Sequence, residues 1–190
     1  MQTRVCQKIQ RIITVSESSK EDISHDHKVD INKIHVVPIG IDTDFFAPQT
    51  DIERIPGRIV STASADVPLK GQKFLLEAIA KVRDEFPHVH LELVGKQREG
   101  STTAETLNQL GLDDIVRFNQ GISYEELVNL LASAEVAIVP SLYEGFSIPA
   151  IEALSCGAPL IASTGGALPE VAGPHLETCL AVPPGDSNAL

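Results

Sequence analysis

The chain has 190 residues, 43% of them hydrophobic, with a formal net charge of −11 and a pI near 4.9. That is enough for one full domain with an extra piece, and the acidic balance excludes a basic nucleic-acid or anionic-membrane surface, so any phosphate site must be local. Cys6, Cys156 and Cys179 are odd in number and lack C-x-x-C spacing, which argues against a disulfide framework or zinc site and for a reducing compartment. With no secretory signal and no apolar run of the roughly 18–20 residues a membrane span needs, the cytosol is the expected location.

In chain order, Arg11-Ile12-Ile13-Thr14-Val15 predicts a buried strand with only a short segment before it. The first 50 residues are therefore expected to be the tail of an earlier domain. Ser18 with Glu21 has capping-box spacing and would open a helix running toward His27, and Lys33-Ile34-His35-Val36-Val37 predicts a second strand. The polar, proline-bearing stretch 42–56 is the expected domain boundary. From Arg58 onward, β-rich runs at 58–61, 90–95, 115–119, 135–140, 160–163 and 179–182 alternate with helix-period segments at 72–86, 103–110, 124–133, 149–155 and 168–172. This alternation predicts βαβ units in one doubly wound parallel α/β domain over 57–190, Rossmann-like in class. Thr102 with Glu105 and Ser123 with Glu126 have capping-box spacing, and Gly111 and Gly157 stand where helices end. Asp186-Ser187-Asn188-Ala189-Leu190 is expected to cap a helix of which little follows.

The densest stretch is Ser141-Leu142-Tyr143-Glu144-Gly145-Phe146-Ser147-Ile148-Pro149-Ala150-Ile151-Glu152. It leads from an apolar strand through a glycine turn into a helix with proline near its start. Such a junction offers free N–H groups and a dipole's positive end to an anion, while Glu144 and Glu152 suit hydroxyl groups. Ligands of an open parallel sheet bind beyond the strands' carboxyl ends. The loops there carry Lys70-Gly71, Gly95-Lys96-Gln97-Arg98, Asn119-Gln120-Gly121 and Gly165-Gly166. Glycines such as Gly71 and Gly121 allow a ligand to approach the backbone closely. For the Gly165-Gly166 pair, a tight turn is an equally good reading. No Gly-x-Gly-x-x-Gly follows the first strand of the domain, which disfavours a nicotinamide enzyme.

On Glu144-x7-Glu152 in its Gly-Phe-Ser-Ile-Pro context the chain resembles the second half of family-4 (group 1) retaining sugar-nucleotide glycosyltransferases, which have the GT-B fold. Val36-Val37-Pro38-Ile39-Gly40-Ile41-Asp42, Lys70-Gly71, Pro169-Glu170-Val171 and Val182-Pro183-Pro184-Gly185-Asp186 support the resemblance across nearly the whole chain. It implies that residues 1–50 are the tail of an acceptor-binding domain and linker, and that 57–190 bind a nucleoside diphosphate sugar. Glu144 would contact the donor sugar near its reacting carbon, and Glu152 the ribose hydroxyls. Gly145, Phe146 and Ser147 would offer N–H groups to sugar and diphosphate, and Lys70 would offset charge on the leaving diphosphate. Neither metal nor separate cofactor is implied. Ala65 stands where the family usually has an arginine, and Lys96 or Arg98 is the expected partial replacement.

The implied activity is transfer of a hexose to a glycan, lipid or small-molecule acceptor, with little activity from this stretch alone. No nucleic-acid partner is expected, and any peripheral attachment to the inner membrane would lie outside this stretch. A non-catalytic nucleotide-sugar-binding or regulatory module is the alternative.

Overall fold

The computed structural model describes residues 2–63 and 66–190. A helix absent from the sequence expectations, α1 (Gln2–Lys8), precedes a two-stranded parallel sheet of β1 (Ile12–Thr14) and β2 (Ile34–Val36), with Ile12 opposite Ile34. The buried strand expected here is buried only at Thr14, since Ile13 is 72% exposed. Pairing with β2 alone leaves the face that carries Ile13 uncovered.

Between these strands runs α2 (Glu17–His27). Its cap is Ser16, not Ser18: Ser16 has extended backbone, and its hydroxyl accepts the Ser19 N–H at 3.0 Å. A cap must stand outside the helix, and Ser18 already lies within the first turn. The helix ends on Lys28, a non-glycine residue in the left-handed region at φ 52°. Lys28→Gly removes that steric cost and is expected to stabilise the fold by about 0.5–1 kcal/mol, read as a higher midpoint in urea.

From Arg58 the alternating pattern builds six strands: β3 (Arg58–Thr62), β4 (His90–Val94), β5 (Val116–Asn119), β6 (Val136–Val139), β7 (Leu160–Ser163) and β8 (Leu180–Val182). They form one parallel sheet in the order β5-β4-β3-β6-β7-β8. Because side chains alternate along a strand, neighbours Ile59 and Val60 enter different cores. On the Ile59 face, α3 (Gln72–Glu85) and α4 (Thr102–Leu110) bury Leu75, Leu76, Ile79 and Leu107. On the Val60 face, α5 (Tyr124–Ala132), α6 (Ile148–Ser155) and α7 (Leu168–Ala172) bury Leu127, Leu131, Ala150, Ala153 and Leu168.

The box predicted at the start of α5 forms in both directions: Glu126 N–H donates to Ser123 Oγ at 3.2 Å, and Ser123 N–H donates to Glu126 Oε2 at 2.7 Å. For α4, Ser101 replaces Thr102 as the cap, because the Ser101 hydroxyl accepts the Ala104 N–H from outside the helix. Gly111 is left-handed at the end of α4, as its position predicted.

Counted from β3, the strands follow the order 3-2-1-4-5-6, which reverses between β3 and β6. The chain leaves these two central strands in opposite directions, so a crevice opens beyond their carboxyl ends. The residues there are those following Thr62 and Val139.

Candidate functional site

A cavity of about 480 Å³ lies at that crevice, and it gathers Lys70 from one stretch of chain and Glu144, Phe146, Ser147 and Glu152 from another. Lys70 ends a short 3-10 turn, Pro68–Lys70, that links β3 to α3. The next residue, Gly71, has φ 69°, and a Cβ there would stand 1.9 Å from the Pro140 carbonyl oxygen. Only glycine lets this turn pack on the end of β6, which carries Lys70 across to the loop after that strand. Gly71 itself is not among the residues lining the cavity; what the structure gives it is this close passage.

Glu144 sits in the loop between β6 and α6. Its Oε1 accepts from Lys70 Nζ at 2.8 Å and from the Ser141 hydroxyl at 2.7 Å, with both charged side chains largely buried. The loop's backbone is tied to the turn after β7: Glu144 N–H donates to the Gly165 carbonyl, and Ala167 N–H donates to the Glu144 carbonyl at 2.8 Å. A Cβ at Gly165 would meet the Leu142 carbonyl oxygen at 2.4 Å, and one at Gly166 the Glu144 carbonyl oxygen at 2.3 Å. The glycine pair thus lets two backbones touch, and the contact holds Glu144 in place.

Ser147 caps α6 from a strained backbone, φ 117° and ψ 83°, a conformation that costs on the order of 1–3 kcal/mol for a non-glycine residue. Its Oγ is completely buried and has no hydrogen-bond partner among the described residues. Strain and an unmade hydrogen bond at one residue, facing a cavity, mark a place shaped for something other than stability.

Glu152 lies one turn further along α6 and is only 7% exposed. No protein group hydrogen-bonds its carboxylate among the described residues, and burial pushes its pKa up. It is therefore no solvated helix residue but an inward carboxylate held against its own desolvation. One turn later the Cys156 thiol is pushed up to about 11 by burial and by the Glu152 charge, which keeps it protonated and unreactive.

The remaining sequence expectations divide. Phe146 is half-buried and lines the cavity. Gly145 does not: its carbonyl accepts the hydroxyls of Ser16 at 2.7 Å and Ser19 at 3.0 Å, which turns its peptide toward α2. Gly121 is left-handed at φ 69° with open space around it; it turns the chain from β5 toward α5 and is not among the lining residues. Lys96 and Arg98 are not lining residues either. Their loop is turned to Asp66, whose carboxylate accepts the Arg98 N–H at 2.9 Å and the Ser101 and Thr103 hydroxyls at 2.6 Å each. Burial alone would raise the Asp66 pKa, but those three hydrogen bonds and the Arg98 charge together lower it. Ala65, the position of the expected arginine, lies outside the described residues.

Sequence reasoning missed Ser141, Ile39, Thr62 and Tyr124. Ser141, Thr62 and Tyr124 each lie at or just beyond the end of a strand or the start of a helix, a signal that could have found them. Ile39 reaches the cavity from the linker after β2, which no local pattern announces. Among the described residues, no group of His, Cys, Asp and Glu could hold a metal ion, and no helix is long and apolar enough to cross a membrane.

Chemically, the cavity offers one ammonium group, two carboxylates and the positive end of α6, the set that an anion bearing hydroxyl groups would use. Comparison with known proteins agrees. Residues 56–190 match the model of the glycosyl transferases group 1 family. An MMP α-(1→4)-mannosyltransferase of Mycolicibacterium hassiacum is 49% identical over 190 residues, covering 100% of this chain and 46% of that protein. A D-inositol 3-phosphate glycosyltransferase of Corynebacterium jeikeium is 33% identical over 175 residues, covering 83% and 42%. The solved structure of sucrose-phosphate synthase from Thermosynechococcus elongatus superposes with a TM-score of 0.82 at 30% identity, covering 99% of this chain and 49% of that one. The chain spans about half the length of the relatives it matches. Its six-stranded sheet, its Glu144–Glu152 junction and these matches place the chain in the group 1 glycosyltransferases.

Proposed function

We propose that this chain is the donor-binding part of a retaining glycosyltransferase that moves a hexose from a nucleoside diphosphate sugar to a glycan, lipid or small-molecule acceptor. The observation that carries the reading is the convergence of Lys70, Glu144 and Glu152 on one cavity at the sheet's reversal point. Mannose is the favoured hexose, supported by the name of the 49% identical relative. That name also specifies an α link, which from an α-linked nucleotide sugar means retention.

Glu152 presents two acceptor oxygens to the ribose diol. The free N–H groups and unpartnered Ser147 hydroxyl at the start of α6 receive the diphosphate. Lys70 and Glu144 neutralise each other; a bound diphosphate draws the ammonium toward itself, and the ammonium offsets the charge that develops as the diphosphate leaves. Glu144 then stands free beside the sugar, where a carboxylate stabilises an oxocarbenium-like transition state. The lysine and the helix dipole take the part that a metal ion has in other transferases, so transfer is metal-independent in this reading. Three free cysteines suit a cytoplasmic protein, and any peripheral membrane attachment is assigned to parts of the protein outside this chain.

Titrating UDP, GDP and ADP hexoses tests the reading. At least one is expected to bind with an affinity unaltered by EDTA and about tenfold or more tighter than to Glu152→Ala. If none binds wild type more tightly than Glu152→Ala, donor binding at this site is wrong. Ala65 beside Asp66, in place of the expected arginine, favours a second reading as a non-catalytic nucleotide-sugar module. Donor binding without transfer, from an otherwise complete protein, would select it.

A further inference from the structure

The small β1–β2 unit and the six-stranded sheet meet at the loop that carries Glu144. The first turn of α2 leaves its N–H groups free of helical partners. Ser19 N–H finds Ser16 Oγ, but Glu17 and Ser18 donate theirs to the two carboxylate oxygens of Glu170, at 2.9 and 2.7 Å, across more than 150 residues of sequence. A carboxylate at a helix N-terminus also meets the positive end of the dipole. Glu170 belongs to the first turn of α7, directly after the glycine pair that bridges to Glu144. From the same turn of α2, the Ser16 and Ser19 hydroxyls both reach the Gly145 carbonyl. The loop is thus held from two sides, by the turn at 165–167 and by α2, and Glu170 ties those two sides to each other.

We propose that Glu170 is a positioning residue for Glu144: by capping α2 it locks that helix onto the Gly145 carbonyl, one residue beyond Glu144, and so makes the aim of the Glu144 carboxylate depend on how the β1–β2 unit sits against the donor-binding sheet. The proposal rests on the reading of Glu144 as the donor-sugar carboxylate. It goes beyond that reading in giving a task to Glu170, which lies outside the donor cavity, and to Ser16 and Ser19. Docking of the preceding unit then has a chemical consequence, since α2 can hold the loop only when the two units are closed together.

The test compares affinity for a nucleoside diphosphate with affinity for the corresponding nucleoside diphosphate sugar, because the difference isolates contacts to the sugar. Glu170 is exposed, so Glu170→Ala is expected to fold. It should lose about tenfold of the sugar-dependent increment while leaving diphosphate affinity unchanged, and faster amide hydrogen exchange should appear at Glu17 and Ser18. Glu170→Gln, which keeps one strong acceptor, should recover part of the increment. Glu144→Gln is the control: an intact increment in that variant overturns the reading of Glu144 itself. Loss of the increment in Glu144→Gln with its retention in Glu170→Ala overturns the positioning role, and equal losses for diphosphate and sugar nucleotide in Glu170→Ala reduce the residue to a structural tie and overturn it as well.

Discussion

Glu144→Gln is expected to reduce sugar transfer by about 10²–10³-fold while changing donor affinity far less, the loss typical of a charge that acts mainly in the transition state. Glutamine keeps an oxygen where Glu144 Oε1 accepts from Ser141 and Lys70, and the bridge from the Glu144 backbone to residues 165–167 does not involve the side chain. The loop therefore keeps its course and only the negative charge disappears. The Lys70 ammonium, largely buried and paired with Glu144, is left facing a neutral partner. The best evidence would be kcat and KM measured side by side with product detection: a fall in kcat much larger than the rise in KM that the lost sugar contact brings is expected. Lys70→Ala is expected to damage the same step from the leaving-group side, and because the two charges share one hydrogen bond their effects should be less than additive in the double variant. A Glu144→Gln enzyme with undiminished kcat would remove this carboxylate from the chemistry.

Glu152→Gln should have opposite effects on binding and on stability. Glu152 is buried, lacks a protein hydrogen bond among the described residues, and has its pKa raised by burial. A carboxyl whose pKa is higher in the folded chain than in the unfolded one stabilises the fold fully only below the ordinary carboxylate range, and that contribution disappears as pH rises through the raised value. At neutral pH the buried charge therefore weighs against the fold, and Glu152→Gln is expected to unfold at a higher temperature than wild type. The gap should close as the pH is lowered through the raised pKa, where wild type also becomes neutral. Donor affinity should move the other way, falling about tenfold or more in the variant at neutral pH. In wild type it should fall on acidification at a pH above the usual carboxylate range, as the ribose acceptor gains its proton. Thermal melts across pH with and without nucleotide sugar would show both trends. A variant less stable than wild type at neutral pH would mean that Glu152 has an unrecognised partner in the fold.

The parts of this protein legible in its sequence are those governed by short-range chemistry. Strand and helix alternation after Arg58, the box at Ser123 and Glu126, and the glycine ending α4 all follow from patterns a few residues long. Class and winding follow from them in turn, since parallel strands joined by helices have few ways to pack. Lys70, Glu144, Phe146, Ser147 and Glu152 could be named because they stand beside a strand end or in one compact stretch. Errors of one or two residues at Ser16 and Ser101 arose where several hydroxyl side chains compete for one cap, a choice made by the path of the chain entering the helix.

Tertiary structure alone decided what each glycine is for and which polar groups meet. Gly71, Gly165 and Gly166 look like ligand-approach glycines in a sequence, yet the atoms that a Cβ would strike are the backbones of Pro140, Leu142 and Glu144, distant along the chain. The direction of the Gly145 carbonyl is set by Ser16 and Ser19, more than 120 residues away, and the loop after β4 is tied to Asp66 through the Arg98 N–H. The sequence by itself determined that two carboxylates and a lysine stand at the ends of parallel strands. Only the packed fold decided that Lys70 pairs with Glu144, that Glu152 is buried without a partner, and that Glu170 clasps α2. Hydrogen bonds and desolvation depend on where separate stretches come to lie in space, and no local pattern records that.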